Sequence, residues 1–167
     1  VSVGSTPTAL SARTLEGVTE VRAGVYVFFD LVMHNVGVCG MNELALSVLT
    51  TVIGHRVDKG WAIVDAGWMA LSRDRGTRQQ KRDFGYGQVC DIKGSVLQGY
   101  LLSDVNQEHG IVSSEGAPDK NIDQIFPNGM QLRILPNHAC ATAAQFPEYH
   151  LLSKDEGLVN WNRLQGW

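Results

Sequence analysis

The sequence predicts a mainly β fold, a barrel or a sandwich. Three observations carry that expectation. About eight short runs are rich in β-branched and aromatic residues, turn residues separate them at close spacing, and almost no stretch has a helical period. With 167 residues, 44% hydrophobic and 19% charged, the chain can bury one real core. The net charge of −3 and the absence of a basic run argue against a nucleic-acid footprint. No apolar run approaches a membrane span, and no charged-then-apolar leader opens the chain. Cys39, Cys90 and Cys140 are sparse and odd in number, with no CxxC spacing. That is no disulfide framework, and it fits a reducing, cytoplasmic setting. The chain opens on Val1 rather than Met, which reads as a piece of a longer protein.

In chain order, Val1-Ser2-Val3 is β-prone and runs into Gly4-Ser5-Thr6-Pro7. Backbone amides at such a turn, with two hydroxyls, can cradle a phosphate. An ordinary capped turn is the plainer reading of the same residues. Val25 to Asp30 carries a strand signal, Leu31 to Asn42 reads as a loop, and Leu44 to Ile53 as a long strand. Trp61 to Asp65 is a further strand, ending at the small pair Ala66-Gly67. Ser72 to Arg82 holds five basic residues and reads as a solvated loop in preference to an anion site. Strands are expected again at Phe84–Cys90, Val96–Leu102, Val105–Val112, Met130–Leu135 and Glu148–Leu152, with one helical turn at Ile122–Phe126. The tail from Val159 carries two of the four tryptophans and is expected to dock on the body or on a partner.

The strand ending at Leu135 is stopped by Pro136, and the chain then presents His138 and Cys140. In extended backbone, residues i and i+2 point to one side. Imidazole plus thiolate is a donor pair that zinc favours, and two protein ligands leave a site open. A buried strand-end cysteine beside an exposed histidine is the competing reading.

Several stretches together resemble the D-serine dehydratase and D-threonine aldolase family, related to alanine racemase by fold type. They are Gly4-Ser5-Thr6-Pro7-Thr8, Glu20 through Asp30, Ala62-Ile63-Val64-Asp65-Ala66-Gly67, Phe84-Gly85-Tyr86-Gly87, Gln107-Glu108-His109-Gly110 and Pro136-Asn137-His138-Ala139-Cys140. They follow the family order over nearly the whole chain, and the part they resemble is the C-terminal one.

The resemblance implies an N-terminal (β/α)8 barrel holding pyridoxal phosphate on a lysine, joined to a C-terminal β-domain that binds a divalent metal. Residues 1–19 would be the end of that barrel, 20–158 the β-domain and 159–167 a docking tail. His138 and Cys140 fall on the metal-ligand positions, and the thiolate favours zinc over manganese or magnesium. Dehydratases of the group resemble His-x-Cys, whereas the aldolases usually carry His-x-Asp. Gly4, Ser5 and Thr6 become candidate cofactor-phosphate contacts. His109 is a candidate catalytic group, or equally a loop-holding one.

The implied reaction is loss of water from a small D-3-hydroxy amino acid, ending in a 2-oxo acid and ammonia. The cofactor ring would act as electron sink and the metal as Lewis acid. Lys59, Lys81, Lys93, Lys120 and Lys154 lie outside the cofactor motif, so this chain alone is expected to be inert. The whole enzyme is expected to be a homodimer. A D-threonine aldolase, a non-catalytic β-domain, and a structural four-ligand site completed by His109 or His34 are the alternatives.

Overall fold

The computed structural model describes residues 1–22, 24–153 and 157–164. Ten strands follow in chain order: β1 (Ser2–Val3), β2 (Glu20–Val21), β3 (Val48–Arg56), β4 (Trp61–Val64), β5 (Gly87–Cys90), β6 (Val96–Val105), β7 (Gly110–Ser114), β8 (Gln131–Pro136), β9 (Glu148–Ser153) and β10 (Gly157–Asn162). Four short helices accompany them: α1 (Thr6–Ser11), α2 (Leu31–Asn35), α3 (Ile122–Ile125) and α4 (Ala139–Ala143).

Six strands, in the order β3-β4-β7-β6-β5-β8, close into an antiparallel barrel. Closure removes the sheet edges that would otherwise invite pairing with another chain. The strand period of two selects what lies inside. Along β3, Val48, Thr50 and Val52 are buried while Leu49 and Ile53 face out. Val64, Val89, Leu102, Val112, Leu132 and Ile134 complete the interior, and Ile122 and Phe126 from α3 pack into the same core.

A second core lies outside the barrel wall. Leu31 of α2 joins Phe84, Cys90, Leu101 and Leu135, the last three each next in sequence to a residue of the barrel interior. Ile134 therefore belongs to the barrel interior and Leu135 to the outer cluster. This outer cluster fixes α2 against the C-terminal end of β8, and that docking is what builds the site.

Several local expectations need correction. Val25 to Asp30 is not a strand: Val25–Val27 form a 3-10 turn, and Phe29 takes a left-handed φ of 54°. The aromatic content of that run serves packing, since the Phe28 ring meets Tyr149 of β9 edge-on at 5.5 Å. Leu31 to Asn42 is not loop throughout, because it contains α2. Val105 to Val112 is not one strand but the end of β6, a turn, and β7, with the Asn106 amide donating to the His109 carbonyl at 2.8 Å.

Val159 to Asn162 lie in β10, which pairs with β9 as a hairpin, so residue 159 falls inside a strand. Residues 165–167 and Lys154 lie outside the described residues. At the other end, β1 pairs in parallel with β2, joining residues 1–3 to the chain at 20–21. No described helix is long and apolar enough to cross a membrane.

Candidate metal centre

The ladder of β8 ends at Pro136, which has no N–H to continue it. Asn137 is next, and it is buried. Its Nδ2 donates to the carbonyls of Asp74 at 3.1 Å and Gly85 at 2.7 Å. Its Oδ1 accepts the Thr77 hydroxyl at 3.1 Å, and the Thr77 oxygen accepts the Phe84 amide at 3.1 Å. One amide side chain thus ties the long β4–β5 connection, residues 65–86, to the end of the barrel. That connection is longer than structural loops usually run, and such loops tend to carry function.

His138 follows, still extended at φ −133° and ψ 101°, as the residue capping α4. Its Nδ1 lies 2.7 Å from Asp74 Oδ2, and both side chains are partly open to solvent. Cys140 occupies the first turn of α4 and is exposed. The expectation that His138 and Cys140 share one face of an extended strand is therefore corrected, because a helix starts between them. Asp30 supplies the physical cause. Its Oδ2 accepts the Ala139 amide at 2.9 Å, satisfying one of the free donors at the start of α4.

Asp30 caps two helices at once, since its Oδ1 also accepts the Met33 amide of α2 at 2.9 Å. Burial pushes the Asp30 carboxyl up, and the bonds from Ala139 and Met33 pull it back. The nearby His138 also pulls the Asp30 carboxyl down, and Asp30 in turn acts on Cys140. Partial burial first, and then Asp30, push the Cys140 thiol up.

Asp74 thus bonds His138, and Asp30 bonds the amide between His138 and Cys140, where four segments meet: β8, α4, the start of α2 and the β4–β5 connection. Among the described residues no three His, Cys, Asp or Glu side chains gather as a ready metal cage. His34 turns elsewhere, with Nδ1 on the Cys39 carbonyl at 3.1 Å and its ring edge-on to Phe84. His109 sits exposed in the β6–β7 turn. That turn is held against the β4–β5 connection by the Trp68 amide on Asn106 and the Met69 amide on Gln107. A four-ligand site completed by His34 or His109 has no counterpart among the described residues.

Gly4, Ser5 and Thr6 form the turn from β1 into α1, with Ser5 as the cap and Pro7 in the first turn. Arg22, just after β2, lies over Gly4, and a Cβ there would meet its guanidinium at 2.8 Å. Its Nη1 also donates to Ser2 Oγ at 2.6 Å.

Sequence reasoning missed Asp30, Asp74, Thr77 and Asn137. Asp30 carried a usable signal, an acidic residue capping a run that could be helix. Asp74 and Thr77 carried none, because they lie in the segment read as a solvated basic loop. That segment is instead wrapped onto the body. Arg75 pairs with Asp83 at 2.7 Å, Arg82 pairs with Glu115 at 3.0 Å and covers Phe84, and Arg73 lies over Trp68.

Residues 45–152 match the model of the family described as "Putative serine dehydratase domain". Over 168 residues the chain is 67% identical to the D-threo-3-hydroxyaspartate dehydratase of Delftia sp. (strain HT23), covering all of this chain and 44% of that one. It is 31% identical over 170 residues to the D-serine dehydratase of Dictyostelium discoideum, covering 96% of this chain and 41% of the relative. Solved structures of D-threo-3-hydroxyaspartate dehydratase superpose over the whole chain. They include a histidine-to-alanine mutant at TM-score 0.94 and a cysteine-to-alanine mutant in the metal-free form at 0.93, both 66% identical. They are covered to 43% and 44% of their length. An alanine racemase-like protein from Idiomarina loihiensis superposes at 0.91 with 55% identity, over 100% of this chain and 44% of that one. The chain thus spans less than half the length of the relatives it matches.

Proposed function

The chain belongs to the serine dehydratase domain family, and from that premise we propose that it is the metal-bearing C-terminal β-domain of a dehydratase acting on a small D-3-hydroxy amino acid. The observation that carries the proposal is the His138–Ala139–Cys140 turn, held between Asp74 on one side and Asp30 on the other. The donor set fits zinc, an imidazole and a thiol with oxygen donors behind them. Two protein ligands leave the remaining positions of an ion to non-protein donors such as a substrate oxygen. The family relatives support the reading. In the D-threo-3-hydroxyaspartate dehydratase, the histidine and the cysteine chosen for replacement stand two residues apart, as His138 and Cys140 do, and the cysteine mutant is described in a metal-free form.

Gly4, Ser5 and Thr6 are the residues we propose for the phosphate of pyridoxal phosphate. Their turn opens a helix whose first amides have no helical acceptor, Pro7 needs none, and the Arg22 guanidinium stands beside it. Bound there, the cofactor would supply an electron sink and the zinc a Lewis acid for departure of a β-hydroxyl, which is otherwise a poor leaving group.

The parts played by this chain are binding and orientation. His138 and Cys140 hold the ion, the two aspartates hold that turn, and Asn137 holds the connection carrying Asp74. His109 is proposed as an accessible imidazole for proton transfer, carried on a turn bonded to the same connection. The lysine for the cofactor and the remaining wall of the site would come from the part of the protein outside these residues, in a homodimeric whole.

The test uses the full-length protein. Zinc content and release of 2-oxo acid and ammonia are measured with D-serine, D-threo-3-hydroxyaspartate and D-threonine, beside Cys140→Ala. Near-stoichiometric zinc with turnover, both lost in the variant, is expected. Unchanged zinc and turnover in Cys140→Ala would overturn the assignment, and glycine with acetaldehyde from D-threonine would replace the dehydratase with an aldolase.

A further inference from the structure

We propose that Asp74 is a positioning residue that selects the metal-binding nitrogen of His138. The inference rests on the metal reading above and goes beyond it to a residue outside the His-x-Cys pair. A neutral imidazole has one N–H and one lone pair, and the hydrogen bond at one nitrogen decides which is which. An ionised carboxylate can only accept. Asp74 Oδ2, 2.7 Å from Nδ1, therefore places the proton on Nδ1 and leaves the lone pair on Nε2. Nε2 is the nitrogen directed away from the aspartate, and the ring is open enough to reach an ion.

The pairing is built in, because the backbone of Asp74 is also fastened to the residue beside His138. Asn137, the immediate neighbour of His138, donates to the Asp74 carbonyl at 3.1 Å. Thr77, three residues beyond Asp74, donates to Asn137 Oδ1. The Ser72 hydroxyl accepts the Asp74 amide at 3.1 Å, fixing the turn on its other side. The carboxylate thus approaches His138 from a backbone already fastened to the residue beside it. A surface ion pair without such bracing would be worth little.

Asp30 does a different job. It grips the Ala139 amide and so sets the backbone between the two ligands, without touching either ring or thiol through a hydrogen bond. Among the described residues, Asp74 is the one whose side chain hydrogen-bonds the imidazole. Loss of an orienting partner of this kind typically lowers metal affinity roughly 10–100-fold.

The experiment compares the full-length protein with Asp74→Asn, Asp74→Ala and His138→Ala. Zinc affinity is read by chelator competition, and the His138 tautomer by long-range proton–nitrogen correlation with nitrogen-15-labelled histidine in the metal-free protein. The expected wild-type signal is the Nδ1–H tautomer. In Asp74→Ala the population should move toward Nε2–H, and zinc affinity should fall roughly 10–100-fold. In Asp74→Asn, whose Oδ1 still accepts, the tautomer should persist and the affinity loss should be smaller. A merely structural role for Asp74 would lower the melting temperature of Asp74→Ala and leave the tautomer unchanged, which would overturn the proposal. Wild-type zinc affinity in Asp74→Ala would overturn it as well. Wild-type affinity in His138→Ala would instead remove the metal reading itself, so the two failures are distinguishable.

Discussion

The Thr77 hydroxyl donates to Asn137 Oδ1 at 3.1 Å, joining the middle of the β4–β5 connection to the first residue beyond the barrel. Neither side chain reaches solvent to any useful extent. Asn137 uses three of its four hydrogen-bonding positions inside the protein, so its truncation leaves two carbonyls and a hydroxyl without that partner. Asn137→Ala should cost about 2–4 kcal/mol by loss of several buried bonds, read as a lower urea midpoint. Zinc affinity should fall with it, because Asp74 loses the brace that aims it. A stable variant with normal zinc affinity would show that the connection holds itself in place.

Gly85 tests the same brace from the other end. Its φ is +60°, and a Cβ there would lie 2.6 Å from the Leu102 carbonyl oxygen of β6, which is backbone and cannot swing aside. Its own carbonyl receives the shorter of the two Asn137 bonds. Gly85→Ala should therefore destabilise by more than the roughly 1–2 kcal/mol typical of a left-handed position alone. Gly94, also left-handed but facing open space, is the control. Gly94→Ala should show only the conformational part, and equal losses at the two sites would refute the steric argument.

The mainly β fold was legible because strand signals are local. Leu132-Arg133-Ile134 declares its faces within three residues, whereas Val48-Leu49-Thr50 does not, since the apolar Leu49 faces out and the polar Thr50 is buried. Leu135 shows where that reading stops. Its apolar neighbour Ile134 already fills the inner face, and only the docking of α2 explains why the next position is buried too. The run from Val25 to Phe29 failed for the converse reason: β-propensity reports fit to a half-buried surface, and here that surface is made without a ladder. His138 and Cys140 were visible as chemistry in one short stretch. Asp74 lies 64 positions from His138 and Asp30 lies 109 from Ala139, and no local pattern in a charged segment announces such partners.

Tyr100 and Asp119 give a dependence on pH away from the site. The Tyr100 hydroxyl donates to Asp119 Oδ2 at 2.7 Å, which holds the carboxyl below its usual range and pushes the phenol up to about 12. The depressed carboxyl stabilises the fold above its ordinary value near ~4. That contribution disappears as pH falls through the lower folded value. The raised phenol stabilises below its ordinary value near ~10, and this part disappears as pH climbs toward the folded value of about 12. Tyr100→Phe should flatten both flanks of a plot of melting temperature against pH. Flanks identical to wild type would assign them to other groups.

Phe126 measures how much the end of the barrel depends on its plug. The ring is fully buried and meets Tyr100 edge-on, with centroids 4.9 Å apart. Its carbonyl accepts from the His55 Nε2 of β3 at 2.7 Å, so the backbone stays anchored when the ring is removed. An anchored backbone limits collapse into the space left behind, which places Phe126→Ala toward the upper part of the usual 3–5 kcal/mol, about 4 kcal/mol. Phe126→Leu keeps most of the volume and should lose about 1–2 kcal/mol, within the range of shape changes in cores. Because Phe126 packs in the barrel core whereas Leu135, at the approach to the His138 turn, packs in the outer cluster, zinc affinity should be unchanged in Phe126→Leu. A drop in zinc affinity without a drop in stability would mean that the barrel core and the metal turn are coupled, and the view of the barrel as a passive support would have to be abandoned.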